Sequence, residues 1–144
     1  MTNSIGEIEQ ARVLLVIGSN TTEAHPVIAS YMKRARKRGA TLIVCDPRTI
    51  DLCRWADIHV QHRVGSDIAL VNGLMHEIIE QGWADDTFIE EHTEGFEAVR
   101  EAVERYPVER ASEITGARLL HIILQRGDCC YPKVQLDLST CLER

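Results

Sequence analysis

Two short apolar runs, separated by a polar loop and an amphipathic segment, constrain the fold of this chain most strongly. The runs are residues 11–17 (ARVLLVI) and residues 41–45 (TLIVC), and such runs beside turn residues are typical of strands buried on both faces. The segment between them begins at Pro26 and stops before Gly39, as expected of a helix with proline in its first turn. This strand–helix–strand spacing predicts a right-handed crossover unit. We therefore expect an α/β fold with a parallel sheet.

The residues that follow predict one more strand and several helices. The expected elements are a short helix at residues 50–55, a strand at 58–60, a helix that ends at Gly82, and shorter helices at 85–91, 94–103 and 107–116. The helix that ends at Gly82 has amphipathic spacing, with apolar residues at Val71, Leu74, Met75, Ile78 and Ile79. We predict one domain over residues 1–116 and a divergent tail of unknown role over residues 117–144.

Charge and composition argue against several classes of partner. The net charge of −6 disfavours nucleic acid, because phosphate neutralisation needs clustered positive charge. One basic cluster, residues 33–38, precedes Gly39, where cations complement the dipole at a helix C-terminus. No apolar run approaches the roughly 20 residues of a membrane-spanning helix, and the first ten residues lack the pattern of a secretory signal. The five cysteines show no C-x-x-C or zinc spacing, so we expect reduced thiols in the cytoplasm.

Three polar loops follow the three predicted strands, and they carry the candidate binding residues. Because the strands are parallel, all three loops emerge at the carboxyl edge of the sheet, where ligands of open α/β sheets bind. The candidates are Gly18, Ser19, Asn20, Glu23 and His25 in the first loop, Cys45, Asp46, Pro47 and Arg48 in the second, and Gly65, Ser66 and Asp67 in the third.

Each loop offers chemistry that suits a nucleotide. Gly18 lets backbone and ligand approach closely because it has no Cβ, and the N-termini of the helices that follow suit a pyrophosphate. Asp46 can accept hydrogen bonds from ribose hydroxyls, and Arg48 can bind phosphate through two parallel hydrogen bonds. Asp67 can accept the N–H donors on the Watson–Crick edge of guanine. Residues 18–20 lack the second glycine of the usual NAD motif, and the P-loop Gly-Lys-Ser/Thr is absent.

The same loops also have interpretations that need no ligand. Residues 18–20 can be a plain turn, residues 46–48 a turn with a surface ion pair, and residues 66–67 a helix cap.

Two further features could suggest a metal, and each has a simpler interpretation. Cys45 lies at a strand end, where we interpret it as a small buried thiol. His59 and His62 are three residues apart, but no third ligand accompanies them, so we interpret them as solvated side chains. We assign no metal ligand in this chain.

The order and spacing of the loops resemble those of the molybdopterin-guanine-dinucleotide oxidoreductases, and most closely the catalytic subunits of formate dehydrogenases. The resembling segments are residues 2–5 (TNSI), 18–26 (GSNTTEAHP), 45–48 (CDPR), 65–73 (GSDIALVNG), 88–89 (FI), 93–96 (TEGF) and 113–116 (EITG). The resemblance implies a Rossmann-like, three-layer domain that holds one of two molybdopterin guanine dinucleotides, which together chelate molybdenum or tungsten.

The resemblance also implies roles for single residues. Asn20, Glu23 and His25 would line the first loop of the cofactor site. The residues that would meet the ribose and the phosphates are Asp46, Pro47 and Arg48, and those that would face the guanine are Ser66 and Asp67. The parent enzyme would oxidise formate to carbon dioxide.

Departures from the family pattern limit what this chain is expected to do alone. A metal-ligating Cys, selenocysteine or Ser, an iron–sulfur motif and a second dinucleotide domain cannot be located, and the pattern ends after Gly116. We therefore expect a cofactor-binding fragment that has no catalytic residue of its own and is not catalytically complete. The alternative is a non-catalytic Rossmann-like module that binds a nucleotide or a protein partner. Either version could self-associate or contact other enzyme domains through exposed apolar surface.

Overall fold

The computed structural model describes residues 4–117. Its strands are β1 (Val13–Ile17), β2 (Thr41–Cys45) and β3 (Ile58–Val60). Its helices are α1 (Thr21–Ala24), α2 (Pro26–Lys37), α3 (Asp67–Glu80), α4 (Asp86–His92), α5 (Phe96–Val103) and α6 (Val108–Thr115), with 3-10 helices at Ile5–Gln10 and Asp51–Arg54. The predicted divergent tail, residues 117–144, lies outside the described residues from residue 118 onward.

The three strands form one parallel sheet in the order β1–β2–β3, which confirms the predicted α/β class. The last residues of the strands are in register: Ile17 pairs with Cys45, and Cys45 pairs with Val60. All three strands therefore end at the same level, and the loops that follow them start side by side.

The sheet is covered on both faces, so the fold has three layers as predicted. On one face Ile43 and Cys45 of β2 pack with Leu70 and Leu74 of α3, and this cluster extends to Ala111 of α6. On the other face the apolar cluster consists of Val16, Leu42, Val44, Ile50 and Leu52, with Met32 of α2 packed against it. Alternate residues of β2 thus enter opposite layers, as the two-residue period of a strand requires.

The first strand departs from the prediction that both of its faces are buried. Leu15, at the centre of β1, is 41% exposed and belongs to neither apolar cluster. The reason is its position, because β1 is an edge strand of the described sheet and pairs with β2 alone. An apolar run indicates that a strand can be buried on both faces, whereas its place in the sheet decides how far it is.

Two other elements differ from expectation. Residues 18–25, predicted as a loop, contain the short helix α1. In α3, Leu70 and Leu74 are the residues buried against the sheet, while most of the predicted apolar face is half-buried toward α4 and α5. An apolar cavity of about 90 Å³ lies there, lined by residues that include Met75, Phe88 and Phe96. The helix therefore buries two adjoining faces rather than one.

The basic cluster at the end of α2 forms ion pairs with acidic residues of neighbouring segments. Lys33 lies 3.7 Å from Asp51, Arg36 pairs with Asp57, and both Arg34 and Arg38 pair with Glu9. Asp57 also accepts the backbone N–H of Leu42 at 2.9 Å. These contacts attach α2 to the two 3-10 helices and to the start of β3. Within residues 4–117, no helix is long and apolar enough to cross a membrane.

Candidate functional site

Backbone hydrogen bonds join the ends of the three strands into one continuous edge. The N–H of Gly18 donates to the carbonyl of Cys45 at 3.0 Å, and the N–H of Asp46 donates to the carbonyl of Val60 at 3.2 Å. The first and second loops therefore leave the sheet while still bonded to the neighbouring strand. The sheet edge holds the starts of these loops in fixed positions relative to one another.

The first loop starts with a left-handed glycine and contains an unpartnered polar atom. Gly18 has φ +60°, a conformation that residues with a Cβ rarely adopt. The hydroxyls of Ser19 and Thr21 lie 3.2 Å apart. Asn20 precedes α1 without capping it, and its Oδ1 is buried with no hydrogen-bond partner among the described residues. Glu23 is exposed, and so is His25, which links α1 to α2.

The second loop is organised around one buried carboxylate. The side chain of Asp46 is only 2% exposed, and it accepts hydrogen bonds from the backbone N–H and from the guanidinium of Arg48. The hydrogen bond from the Arg48 side chain is the main reason that the pKa of Asp46 is lowered, and the pKa of Arg48 is raised in return. Arg48 itself is 68% exposed, so its guanidinium is held in place and still accessible.

Side chains of β3 and of the residue that follows it make hydrogen bonds to the backbone of this second loop. Nε2 of His59 lies 3.2 Å from the carbonyl oxygen of Asp46, and the side-chain amide of Gln61 donates to the carbonyl of Pro47 at 3.2 Å. His59 was predicted to be solvated, which is wrong: it is half-buried and bonded to the candidate loop.

Cys45 lies at the edge but faces the core. It is 1% exposed and packs in the apolar cluster under α3. Burial, assisted by the negative charge of Asp67, raises the pKa of its thiol to about 12. Its backbone carbonyl already accepts from Gly18. The thiol is thus a packed core group, and the residue can shape a ligand site only through the backbone.

The third loop places one carboxylate at the start of a long helix. Gly65 is exposed, whereas Ser66 is buried and its hydroxyl donates to the carbonyl of Arg63 at 2.6 Å. Ser66 therefore does not cap α3, and the helix has no side-chain cap. Asp67 is the first residue of α3, and its side chain is 50% exposed. Of this pair, the accessible functional group is the carboxylate of Asp67.

The three loops approach one another closely enough to form one site. A Cβ placed on Gly18 would lie 3.8 Å from Oδ1 of Asp67. The first and third loops are therefore close to each other at this point. The negative charge of Glu23 contributes to the raised pKa of Arg48. The first and second loops therefore interact electrostatically. Pro47 is half-buried beside Arg48. The structure therefore brings Gly18 beside Asp67 and Glu23 within electrostatic range of Arg48 at the same edge of the sheet.

Sequence reasoning missed a residue that the structure places against Asp67 at this edge. His62 was predicted to be solvated, but its side chain is 0% exposed, and its Nε2 lies 3.0 Å from Oδ1 of Asp67. A signal for this burial exists in the sequence. His62 lies two residues after Val60, whose side chain is fully buried, and residues two apart in extended chain lie on the same face.

The acidic and imidazole groups of this edge are not arranged as a metal centre. Within the described residues 4–117, no group of three or more His, Cys, Asp and Glu side chains could hold a metal ion. The apolar cavity between α3, α4 and α5 contains none of the loop residues named above. Hydrogen-bonding and charged groups that could hold an organic ligand converge instead at the carboxyl edge.

Comparison with known proteins gives a consistent result. Residues 1–126 match the family model described as Molybdopterin oxidoreductase. The chain is 43% identical over 116 residues to the F420-dependent formate dehydrogenase 2 subunit alpha of Methanococcus maripaludis, a match that covers 81% of this chain and 17% of that protein. It is also 43% identical over 116 residues to formate dehydrogenase H of Escherichia coli, covering 81% of this chain and 16% of that protein.

A solved structure shares the fold as well. Acetylene hydratase from Pelobacter acetylenicus superposes with a TM-score of 0.74 at 30% sequence identity, over 90% of this chain and 20% of that chain. The chain thus spans about one sixth of the length of the formate dehydrogenase subunits it matches. The family match over most of its length, the identity to those subunits and the shared fold lead to one conclusion: this chain belongs to the molybdopterin oxidoreductase family.

Proposed function

We propose that the carboxyl edge of this sheet binds the guanine nucleotide part of a molybdopterin guanine dinucleotide. The protein that carries this domain would be a molybdenum- or tungsten-dependent oxidoreductase of the formate dehydrogenase type. The observation that carries the proposal is the convergence of three strand-end loops, which bring Arg48 and Asp67 to one edge around Gly18. The proposed domain comprises residues 1–116, as expected from the sequence.

The groups at this edge suit a dinucleotide in their hydrogen-bonding capacity. The buried Oδ1 of Asn20 has no partner among residues 4–117, and a buried acceptor of this kind is stabilised when a ligand supplies a donor. The exposed guanidinium of Arg48, held by Asp46, suits a phosphate. The N-terminus of α3 has no side-chain cap, so its N–H groups are available to acceptor atoms of the ligand.

The base is the part of the ligand that Asp67 would recognise. A carboxylate has two acceptor oxygens and no donor. Guanine presents two adjacent N–H donors on its Watson–Crick edge, whereas adenine presents one N–H donor beside an acceptor nitrogen. A half-exposed carboxylate at the end of the site therefore favours guanine over adenine. Ser66 would contribute by fixing the loop rather than by touching the base, because its hydroxyl is bonded to Arg63.

The described residues would bind and orient the cofactor and leave the chemistry to it. In the whole protein, formate would be oxidised to carbon dioxide, one proton and two electrons. When bound, the cofactor supplies the metal centre that accepts those two electrons. The side chains of this edge would hold phosphate, ribose and base, and none of them is proposed as a catalytic residue. A cytoplasmic location fits the free thiols of Cys45 and Cys53.

Calorimetric titration with GDP and with ADP tests the proposal. The chain should bind GDP more tightly than ADP. Replacing Asp67 by Ala should remove about 1–3 kcal/mol of GDP binding free energy and abolish the preference for guanine. The control is Asp86→Ala, which removes the same charge from an exposed position in the first turn of α4. Equal affinity for GDP and ADP would contradict guanine recognition, and no binding at millimolar GDP would contradict the nucleotide site itself.

A second candidate role is contact with protein, and exposed apolar residues favour it. Val64 and Ile68 flank the third loop and are 87% and 71% exposed, and Leu15 is exposed on the edge strand β1. Such surface is suited to packing against another copy of the chain or against further domains of a longer enzyme. Sedimentation that depends on concentration, together with no affinity for GDP, would support this role over the first.

A further inference from the structure

A buried histidine touches the carboxylate to which we assign base recognition. His62 is in the loop between β3 and α3, and its side chain is fully enclosed, while its neighbour Asp67 is half-exposed. Their contact, Nε2 to Oδ1, is 3.0 Å. Because the imidazole ring is buried on all sides, it has little freedom to move. Its hydrogen bond therefore restricts the motion of the half-exposed Asp67 carboxylate. This pairing is of the kind that orients a functional side chain from behind.

The surroundings of the ring determine which nitrogen carries the proton. Nδ1 of His62 is buried and has no hydrogen-bond partner among the described residues. A proton on Nδ1 alone would leave a buried N–H donor unpaired, which is rare in proteins, and would turn the lone pair of Nε2 toward a carboxylate oxygen. A proton on Nε2 instead gives a hydrogen bond to Asp67. The geometry thus selects the tautomer with the proton on Nε2.

The contact uses only part of the hydrogen-bonding capacity of Asp67. Oδ1 accepts from His62 and lies 3.8 Å from the position that a Cβ on Gly18 would take. Within residues 4–117, no donor contacts Oδ2. Since a carboxylate offers about four acceptor positions, one bond from His62 leaves both oxygens able to accept from a ligand. The histidine therefore orients the group without occupying it.

We propose that His62 is a positioning residue that holds the Asp67 carboxylate, through its Nε2–H, in the orientation that meets a guanine base. This inference rests on the proposed function. Pre-orienting a side chain reduces the conformational entropy lost on binding. His62 thus raises affinity and guanine preference without touching the nucleotide.

The first test is spectroscopic and needs no ligand. A long-range proton–nitrogen NMR spectrum of the folded chain, recorded at about pH 8, should show His62 protonated on Nε2 and bare on Nδ1. The opposite tautomer would overturn the inference, whether or not the chain binds GDP.

The second test compares three variants by calorimetry. His62→Leu should weaken GDP binding about two- to tenfold and reduce the ratio of GDP to ADP affinity. His62→Gln should restore both, because the glutamine amide can donate from nearly the position of Nε2. His92→Leu, which changes an exposed histidine on α4, should behave as wild type.

The outcomes separate this inference from the proposed function. If wild type fails to bind GDP, the proposed function falls and this role falls with it. If wild type binds GDP and His62→Leu binds equally well, only the role of His62 is overturned. If His62→Leu does not fold, the decision rests on His62→Gln and the tautomer: a glutamine variant with intact GDP preference supports the role, and one that folds but loses the preference contradicts it.

Discussion

Arg48 donates to Asp46 from both its backbone and its side chain: the backbone N–H lies 2.8 Å and Nε 3.1 Å from Oδ1, while Nη2 lies 3.3 Å from Oδ2. One buried carboxylate therefore fixes both the turn after β2 and the direction of an exposed guanidinium. The carboxylate directly follows the central strand β2, which holds it in place. Its hydrogen bonds therefore restrict the motion of the guanidinium.

Removal of the guanidinium should weaken phosphate binding. We expect Arg48→Ala to lower the affinity for GDP on the order of tenfold, since the variant loses the only proposed cation of the second loop. Arg48→Lys should recover part of this loss, because lysine keeps the charge but not the planar fork. Titration calorimetry measures the effect. Arg100→Ala, which removes an equal charge from α5, serves as the control, and an equal loss in that variant would show that only net charge matters.

The same pair predicts a dependence of stability on pH. The pKa of Asp46 is lowered from 3.8, chiefly by the hydrogen bond from the Arg48 side chain. The ionised carboxylate therefore stabilises the fold at pH values above 3.8. This stabilisation is lost as the pH falls further and the carboxylate becomes protonated. Asp46→Asn should cost about 1 kcal/mol at neutral pH. The difference from wild type should shrink in acid. Urea unfolding at about pH 7 and about pH 3 checks this, and a difference that stays constant between the two would contradict it.

The left-handed glycine in the first loop can be tested against a glycine elsewhere. Gly18 has φ +60°, and its Cβ would lie 3.8 Å from Oδ1 of Asp67; Gly82 has φ +66° and nothing within 4 Å. Alanine at either position should cost about 1–2 kcal/mol of stability because of the backbone strain. Only Gly18→Ala should also lose GDP affinity, since its methyl group enters the site. Equal GDP binding by the two variants, measured where both are folded, would place the ligand away from Gly18.

Burial of Cys45 predicts an unreactive thiol. Its pKa is raised from 9.0 to about 12, which lowers the reactive thiolate fraction at neutral pH on the order of a thousandfold. Iodoacetamide should therefore modify half-buried Cys53 well before Cys45, and urea should abolish the difference. Peptide mapping by mass spectrometry distinguishes the two sites. Folding raises the pKa of the Cys45 thiol, so the pKa also affects stability. The free energy of unfolding keeps its full value below pH 9.0 and decreases as the pH rises toward about 12, because the unfolded chain loses the thiol proton first.

Strand and helix positions were largely predictable because their signals are local. The bounds of β2 and β3 agree with the sequence prediction, and α2 begins at Pro26 as expected. A proline at a helix start and glycines past helix ends act through their own backbone conformation. Gly82 and Gly116 have positive φ, and α3 and α6 end just before them, as predicted. Parallel pairing followed from the crossover spacing, and it placed the three loops at one edge.

The unpredicted features depend on neighbours that are distant in sequence. Leu15 is exposed because β1 lies at the edge of the described sheet, although its sequence is as apolar as that of β2. His62 is enclosed, and its hydrogen-bond partner is Asp67, the first residue of α3. The hydroxyl of Ser66, a natural helix cap by residue type, is bonded to Arg63 instead. In each case the residue type permits several environments.

By itself, then, the sequence determined the alternation of strands and helices, the three candidate loops and their common edge, because these depend on apolar period, turn residues and chain direction. The tertiary structure alone decided which candidate groups remain accessible. It left Arg48 and Asp67 accessible and placed the buried side chain of His62 against Asp67, whereas the burial of the Cys45 thiol was already expected from the sequence. The physical reason is that burial and hydrogen-bond pairing depend on every segment packed around a side chain, and those segments meet only when the chain has folded.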